Sequence, residues 1–346
     1  MKIAVINSGS SSLKFKLFDM QTSEVLTTTY IEHIGEENSK IQTHHEALES
    51  LVMDFNTVDL FAHRVVHGGE TLTQAVLIDT NIMQQIEELS SLAPLHNPAN
   101  LEGIKAVLTK APDIKQVAVF DTAFHSSMPE EAYLYALPYT LYKEKHIRRY
   151  GFHGTSHSYL AKVAAQELGI ALDQLNVITL HLGNGASICA IENGKSIDTS
   201  MGFTPLEGLV MGTRSGDLDP AVVLYMQEEL GMSTSEVKNI LNRESGLLGL
   251  CGENDIREIL KSSDSKADLA LRIMIRRAKK YIGSYMALLG RVDSIVFSGG
   301  VGENSEYIRN EILNTPIFHD IKHLVIHTDE ELEIAQQAVS LLKVID

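Results

Sequence analysis

Two stretches of the chain, roughly half its length apart, share one pattern. Residues 3–19 read IAVINSGSSSLKFKLFD, and residues 177–193 read VITLHLGNGASICAIEN. Each has a β-branched run, a turn of small residues and a second strand-like run, which is typical of a β-hairpin. Small tips let backbone N–H groups approach phosphate oxygens closely. One such tip is usually an ordinary turn, but two of them predict a duplicated domain that binds one polyphosphate through both loops.

Length and charge narrow the class of protein. The chain has 346 residues, 44% of them hydrophobic, which is too long for one ordinary core and suits two domains. The formal net charge of −16 repels nucleic acid and anionic lipid, so neither is an expected partner. Only Cys189 and Cys251 occur, and the apolar N-terminal run is short and interrupted by Asn7. We therefore expect a cytoplasmic protein without a disulfide framework, signal peptide or membrane span.

The periodicity of the chain predicts strands and helices in both halves. Residues 22–54 are polar and poorly periodic, and residues 199–220 read as a long loop of the kind that carries function. Mixed elements in each half indicate a two-domain α/β protein. Further strands are expected at 59–66, 116–120 and 294–297, and helices at 81–92, 99–108, 220–230, 235–241, 266–289, 305–313 and 329–342, the last with Asp329 as its N-cap.

Three charged side chains stand out against their surroundings. Arg64 lies in a mostly apolar strand, where it needs either an internal acid or an anionic ligand. Asp121 directly follows a buried strand, where α/β sheets place their sites, although capping the next helix would also explain it. Arg214 lies between glycines and, taken alone, reads as a solvated loop residue. Together with the two hairpins, they supply the cations and positioning that phosphoryl transfer needs.

Two common signatures are not favoured. His153 and His157 have the i, i+4 spacing of zinc ligands, but Gly-Thr-Ser lies between them and no catalytic glutamate does. The sequence Gly194-Lys195-Ser196 resembles the end of a P-loop, yet the earlier glycine would fall on Cys189.

Eight ordered motifs along nearly the whole chain resemble the acetate/propionate/butyrate kinase family. They are residues 7–14 (NSGSSSLK), 63–69 (HRVVHGG), 93–98 (APLHNP), 120–125 (FDTAFH), 150–157 (YGFHGTSH), 181–187 (HLGNGAS), 211–220 (MGTRSGDLDP) and 300–304 (GVGEN). The chain is shorter than most members of that family, and its segment 251–257 departs from the usual pattern before Asp255.

The resemblance implies a fold and a reaction. The implied fold is α/β, with two duplicated actin-like ATPase domains of the ribonuclease H type and the active site in the cleft between them. The implied bounds are 1–125 for the first domain, 126–331 for the nucleotide-binding domain and 332–346 for a C-terminal helix returning to the first. The implied reaction is ATP + acetate ⇌ ADP + acetyl phosphate with Mg²⁺, or Mn²⁺ in its place, in a homodimer.

Roles also follow from the resemblance, residue by residue. It implies metal ligands at Asn7 and Glu330. It implies catalytic residues at Asp121, His153 and Arg214. Contacts to the acyl substrate are implied at Arg64, Val66, Leu95, Phe152 and Pro205. Contacts to ATP or ADP are implied at Ser10, Ser12, Lys14, His181, Leu182, Gly183, Asn184, Gly185, Asp255, Ile256, Arg257, Gly300, Val301, Gly302, Glu303 and Asn304.

The chemistry of the substrate limits what these residues do. Acetate is ionised at neutral pH because carboxyl groups titrate near 4, so the nucleophile needs no general base. We therefore expect Asp121 to order magnesium, water or an arginine rather than to remove a proton. Val66 is bulkier than the alanine expected of a propionate-preferring pocket, which favours acetate. Two alternatives stay open: a propionate or butyrate kinase, and a non-catalytic ATP-binding module.

Overall fold

The computed structural model describes residues 1–9, 11–36, 39–51, 54–94 and 96–345. The chain divides into two compact units. Unit 1 consists of Met1–Ser126, Gly154–Ser158 and Asp329–Asp346, and unit 2 consists of Ser127–His153 and Tyr159–Thr328. The domain bounds expected from the sequence, 1–125, 126–331 and 332–346, stay a prediction.

Regular elements alternate along the whole chain. The strands are β1 (Lys2–Ser8), β2 (Leu13–Asp19), β3 (Glu24–Ile31), β4 (Leu60–Val65), β5 (Val76–Leu77), β6 (Gln116–Phe120), β7 (Val177–Leu182), β8 (Ala186–Glu192), β9 (Lys195–Thr199), β10 (Ser294–Ser298) and β11 (His323–Val325). The α-helices are α1 (His44–Glu49), α2 (Thr80–Glu88), α3 (Asn97–Lys110), α4 (Glu130–Tyr133), α5 (Tyr139–Lys145), α6 (Gly154–Leu168), α7 (Pro220–Glu228), α8 (Thr234–Arg243), α9 (Gly246–Cys251), α10 (Ile256–Ile259), α11 (Ser265–Leu289), α12 (Gly299–Asn304), α13 (Glu306–Leu313) and α14 (Glu330–Ile345).

The sheets of the two units repeat one topology. Within the described residues, the strand order of unit 1 is β3-β2-β1-β4-β6-β5, and that of unit 2 is β11-β10-β7-β8-β9. In unit 1, β1–β2 and β2–β3 are antiparallel, whereas β1–β4 and β4–β6 are parallel. In unit 2, β7–β8 and β8–β9 are antiparallel, and β7–β10 and β10–β11 are parallel. The predicted α/β fold with duplicated hairpins is confirmed.

Apolar side chains cover both faces of the unit 1 sheet. On one face, Ile334, Ala335 and Ala338 of α14 pack with buried residues such as Ile3 of β1 and Val117 of β6. On the other face, residues of α1 and α3 pack against the opposite side chains of β1, β2 and β4. This alternation is what a sheet buried on both sides requires. In unit 2, α11 packs on β7 and β8.

Several predicted elements agree with the structure, and others were missed. Asp329 accepts a hydrogen bond from the backbone N of Leu332 (3.0 Å), which confirms the predicted cap of α14. Residues 200–219 form no helix or strand, as predicted for the long loop. The prediction assigned no element to residues 22–54, where the structure has β3 and α1. No helix among the described residues is long and apolar enough to span a membrane.

Candidate functional site

Arg64, at the end of β4 in unit 1, forms an internal ion pair with Asp121. Its Nε donates to Asp121 Oδ1 at 3.1 Å, and its Nη2 donates to Asp121 Oδ2. Its Nη1 donates to Asn7 Oδ1 at 3.1 Å. Burial opposes the charge, but the carboxylates of Asp121 and Glu330 outweigh it and raise the pKa of Arg64. Three residues expected to share a site from the sequence therefore lie together at the ends of β1, β4 and β6.

Asp121 is held by a residue that the sequence reasoning missed. Thr155 Oγ1, in the first turn of α6, donates to Asp121 Oδ1 at 3.0 Å. The backbone N of Gly154 donates to the Asp121 carbonyl at 2.9 Å, and a Cβ on Gly154 would lie only 2.1 Å from that oxygen. The carboxylate thus accepts three hydrogen bonds from side chains. An Asp121 so engaged is suited to orienting Arg64 and unsuited to taking a proton.

The acidic start of α14 lies near Arg64 and the second strand of the first hairpin. Glu330 Oε2 lies 4.0 Å from Arg64 Nε. Burial raises the pKa of Glu330, and Asp121 and Glu331 raise it further while Arg64 opposes them. Lys14, expected to contact ATP, has its Nζ 2.8 Å from Glu331 Oε2. In this structure Lys14 therefore forms an ion pair with an acid on α14.

Two buried asparagines of α3 hold the backbone around Val66, and the sequence reasoning missed both. Asn100 Oδ1 accepts from the backbone N of Val66 (3.0 Å), and its Nδ2 donates to the Ser8 carbonyl (2.7 Å). Asn97 accepts from the backbone N of His67 and donates to the carbonyl of the same residue, both at 3.1 Å. Asn100 therefore ties the first hairpin to the end of β4. Asn97 belongs to the 93–98 motif and shares helical spacing with Asn100, but neither signal assigned these residues a role.

The tip of the first hairpin is described only in part. Ser10 and Leu95, both expected to contact substrates, lie outside the described residues. The Ser12 carbonyl accepts from the backbone N of Gly9 at 2.8 Å, which closes the turn. His44 of α1 reaches this tip, because its Nε2 lies 2.7 Å from the Gly9 carbonyl.

In unit 2, the second hairpin brings together Gly185, His153 and Arg214. A Cβ placed on Gly185 would lie 3.6 Å from Arg214 Nη1 and 3.6 Å from both Cε1 and Nε2 of His153. His153 Nδ1 lies 2.9 Å from Ser187 Oγ of β8, and its ring centroid lies 4.5 Å from that of His181. His153 has a positive φ of 57°, which is uncommon for a residue with a side chain. The side chains of His153 and Arg214 therefore both lie beside the backbone of the loop at Gly185.

Arg214 is half-buried, and no described carboxylate forms an ion pair with it. Its hydrogen bonds to described residues all come from Nη1, to the Pro205 carbonyl at 3.1 Å and to Met211 Sδ at 3.7 Å. Burial lowers the pKa of Arg214. A guanidinium that is partly desolvated without an acid partner is suited to binding an anion. The reading of Arg214 as a solvated loop residue is wrong.

A pocket of about 530 Å³ in unit 2 adjoins the second hairpin. Leu182, Gly183 and Asn184 line it from the hairpin. Further predicted nucleotide contacts that line it are Asp255, Ile256, Arg257, Gly300, Val301 and Asn304. Apolar residues absent from the prediction complete the wall: Leu209, Val210, Met211, Leu247, Leu260, Met274, Ala278 and Ile312. Such a cavity, mostly apolar with a few polar groups, is typical of a small-molecule site.

Of the nucleotide contacts predicted in unit 2, four lie outside the lining of this pocket: His181, Gly185, Gly302 and Glu303. Glu303 Oε1 accepts from the backbone N of Gly299 (2.9 Å) and from Ser298 Oγ (3.2 Å). The carboxylate thus caps the start of its own helix, α12. A Cβ on Gly302 would contact Phe297 and Leu182 at 3.5–3.6 Å, so Gly302 packs against β7 and β10.

The remaining predicted residues have simple surroundings. Arg257 is exposed and pairs with Asp255, and this side-chain hydrogen bond lowers the pKa of Asp255 to about 2. Phe152 is buried. Pro205 lies in the long loop and meets Arg214 through its carbonyl.

Comparison with known proteins places these features in a family. The Acetokinase family model matches residues 2–54 and 45–340. The acetate kinase of Sulfurimonas denitrificans is 54% identical over 388 aligned positions, which cover 99% of this chain and all of the relative. The crystal structure of Porphyromonas gingivalis acetate kinase has a TM-score of 0.92 at 39% identity and covers 99% of both chains. A propionate kinase from Francisella tularensis has a TM-score of 0.92 at 41% identity, over 97% of this chain and 98% of that one.

Proposed function

Because the chain belongs to the Acetokinase family, we propose that it catalyses reversible, Mg²⁺-dependent phosphoryl transfer from ATP to the carboxylate of acetate, giving acetyl phosphate and ADP. Family membership makes it a phosphotransferase with a carboxyl group as acceptor. The observation that carries the residue roles is Arg214, a half-buried cation without a described acid partner beside a glycine hairpin.

The acceptor side of the reaction is assigned to unit 1. Asp121 holds Nε and Nη2 of Arg64, which fixes the plane of the guanidinium. A fixed guanidinium offers paired donors to a carboxylate. Acetate is ionised near neutral pH, so it attacks without losing a proton. Asp121 therefore serves as an orienting acid, which its three hydrogen bonds from side chains support.

The donor side is assigned to unit 2. The apolar pocket receives the adenine ring, and the hairpin from His181 to Gly185 receives the phosphates. Arg214 stabilises the negative charge on the transferring phosphoryl group. His153 Nδ1 lies 2.9 Å from Ser187 Oγ, and the Cε1–Nε2 edge of the ring lies beside Gly185. In this role His153 donates one hydrogen bond to a phosphoryl oxygen.

The metal is assigned to Asn7 and Glu330, with Mn²⁺ able to replace Mg²⁺. An amide oxygen and a carboxylate are hard donors, and Mg²⁺ in nucleotide enzymes takes only one or two protein ligands. Both groups lie near Arg64, Asn7 Oδ1 at 3.1 Å from Nη1 and Glu330 Oε2 at 4.0 Å from Nε. The bound ion would neutralise charge on the phosphate oxygens.

The acyl pocket is assigned to Val66, Leu95, Phe152 and Pro205, with acetate as the preferred acid.

We also propose a cytoplasmic homodimer. Both cysteines are free, which suits a reducing compartment. No residue of α7 is buried, and Val222, Leu224 and Tyr225 are 45–58% exposed, an apolar surface that suits a second copy. Light scattering on wild type and L224D measures this, and the variant is expected to be monomeric.

A hydroxamate assay tests the main proposal. Purified protein is incubated with acetate, Mg²⁺ and hydroxylamine, with and without ATP, and acetyl hydroxamate is measured. We expect ATP-dependent product that chelation of the metal abolishes. Product no higher than in the acetate-free control would contradict the function, and equal product without ATP would contradict the phosphoryl donor.

A further inference from the structure

A half-buried polar network in unit 2 surrounds the carboxylate of Glu207 on the long loop. Arg149 Nη2 donates to Glu207 Oε1 at 2.6 Å, and Tyr135 OH donates to Glu207 Oε2 at 2.5 Å. The Tyr135 oxygen also accepts from the backbone N of Phe203 at 2.9 Å. A Cβ on Gly202 would lie within 2.2 Å of the Tyr135 and Glu207 oxygens, so a side chain at this position would displace them.

Arg149 extends the network to the strand before the loop. Its Nη1 donates to the carbonyls of Thr199, Ser200 and Met201 at 2.9–3.3 Å. The network thus binds both the start of the loop and its turn at residues 202–207. Among the described residues, Glu207 is the acid that hydrogen-bonds both Arg149 and Tyr135.

The same turn carries the carbonyl that holds Arg214. Pro205 lies between Phe203, bound by Tyr135, and Glu207, bound by Tyr135 and Arg149. The Pro205 carbonyl accepts from Arg214 Nη1 at 3.1 Å. The turn 202–207 therefore holds the Arg214 guanidinium through a backbone carbonyl, without an ion pair.

We propose that Tyr135, Glu207 and Arg149 are positioning residues, which fix the turn 202–207 so that the Pro205 carbonyl aims the Arg214 guanidinium at the phosphoryl group. The proposal rests on the proposed function for the identity of the anion. No motif in the sequence pointed to these three residues, because Tyr135 lies in an irregular aromatic segment and Glu207 lies in a loop. Misplacing a catalytic group by about 1 Å is enough to lower turnover strongly.

The test is a double-mutant cycle between Tyr135→Phe and Arg214→Ala, with Tyr133→Phe as the matched control. Tyr133 lies two residues earlier, and its hydroxyl hydrogen-bonds Glu130 at the surface and Tyr142, with no contact to Glu207 among the described residues. We expect Y135F to lower kcat by about tenfold or more with the KM for ATP little changed, and Y133F to leave kcat unchanged. In the R214A background, Y135F is expected to lower kcat no further, because Tyr135 acts through Arg214.

A crystal structure of Y135F provides a readout independent of activity. We expect the turn 202–207 to shift and the hydrogen bond from Arg214 to Pro205 to be lost. Retention of that bond, an unchanged kcat, or an equal loss of kcat in both backgrounds overturns the proposal. If Y135F does not fold, E207Q is put through the same cycle and crystallisation. Absence of acetyl phosphate with wild type would instead overturn the proposed function, and the structure of the variant would still decide the positioning role.

Discussion

Replacing Arg214 by alanine tests the centre of the proposed mechanism. Within the described residues, Nη1 is its only hydrogen-bonding nitrogen, so the N–H groups on Nη2 and Nε have no acceptor there. A guanidinium carries five N–H groups, so three remain to bind an anion. No described carboxylate neutralises the side chain, and burial lowers its pKa, which indicates that part of its hydration is already lost. The Arg214 guanidinium is therefore suited to binding the negative charge of the phosphoryl group.

The expected loss can be bounded from similar groups. Removing one preorganised donor costs about 3–4 kcal/mol, and catalytic arginines in phosphoryl transfer supply about 10³–10⁵ in kcat. Because Nη1 is already bound to the Pro205 carbonyl, only part of the guanidinium is available to the phosphoryl group. We therefore expect R214A to raise the activation free energy by about 3–5 kcal/mol. Each 1.4 kcal/mol is about tenfold, which gives a roughly 140- to 4,000-fold lower kcat. The KM for ATP is expected to change little, because the apolar pocket is left intact.

Steady-state kinetics with varied ATP at saturating acetate measures this effect. Arg272→Ala is the control, because Arg272 is exposed and pairs only with Asp268 one turn away; its kcat is expected to equal that of wild type. A near-normal kcat for R214A with only a raised KM for ATP would refute the reasoning, since it would make Arg214 a ground-state contact.

Three further predictions concern unit 1. Arg64→Ala is expected to raise the KM for acetate far more than that for ATP, and unchanged acetate saturation would count against its role as carboxylate clamp. Val66→Ala is expected to shift kcat/KM toward propionate by about 10-fold, since one methylene is worth about 1–3 kcal/mol; an unchanged ratio of the two acids would remove Val66 from the pocket. Burial lowers the pKa of His63 in the folded protein to about 4, although the hydrogen bond to Gln116 opposes this. In the unfolded chain the same histidine has a pKa near 6.5. Between pH 4 and pH 6.5 the unfolded state therefore binds more protons than the folded state. Stability is then full above pH 6.5 and falls by about 3 kcal/mol as the pH drops to 4; denaturation curves of wild type and H63Q should differ in this slope, and equal slopes would contradict it.

Much of the fold could be predicted because the decisive patterns are local. The strand runs at 3–8 and 177–182 contain β-branched residues followed by small turn residues, and both form the predicted hairpins. The strand β3 escaped prediction because most of its residues are exposed, so EVLTTTYI shows no alternation of buried and polar positions. Arg64 and Asp121 were expected at one site, and the structure joins them in an ion pair, which the sequence offered only as the alternative reading of Arg64.

The supporting residues of the site could not be predicted for a physical reason. Thr155, Asn97 and Asn100 act through hydrogen bonds to groups 30–92 residues away in the chain. Such bonds leave no periodic trace, because a buried asparagine on a helix looks like any polar residue until its partners are placed. Arg214 likewise lies in a loop whose shape depends on Glu207 and Tyr135, far from any regular pattern.

In the proposed acyl pocket, the amide of Asn100 would couple the length of the bound acid to the first hairpin. Its oxygen accepts from the backbone N of Val66, and its nitrogen donates to the Ser8 carbonyl. One amide therefore joins the proposed acyl pocket to the first hairpin. An acid with extra carbons that displaces Val66 would also displace Asn100, and with it the first hairpin, which is proposed to bind the phosphates. Discrimination among short acids would then lower kcat for the longer acids as well as raise their KM.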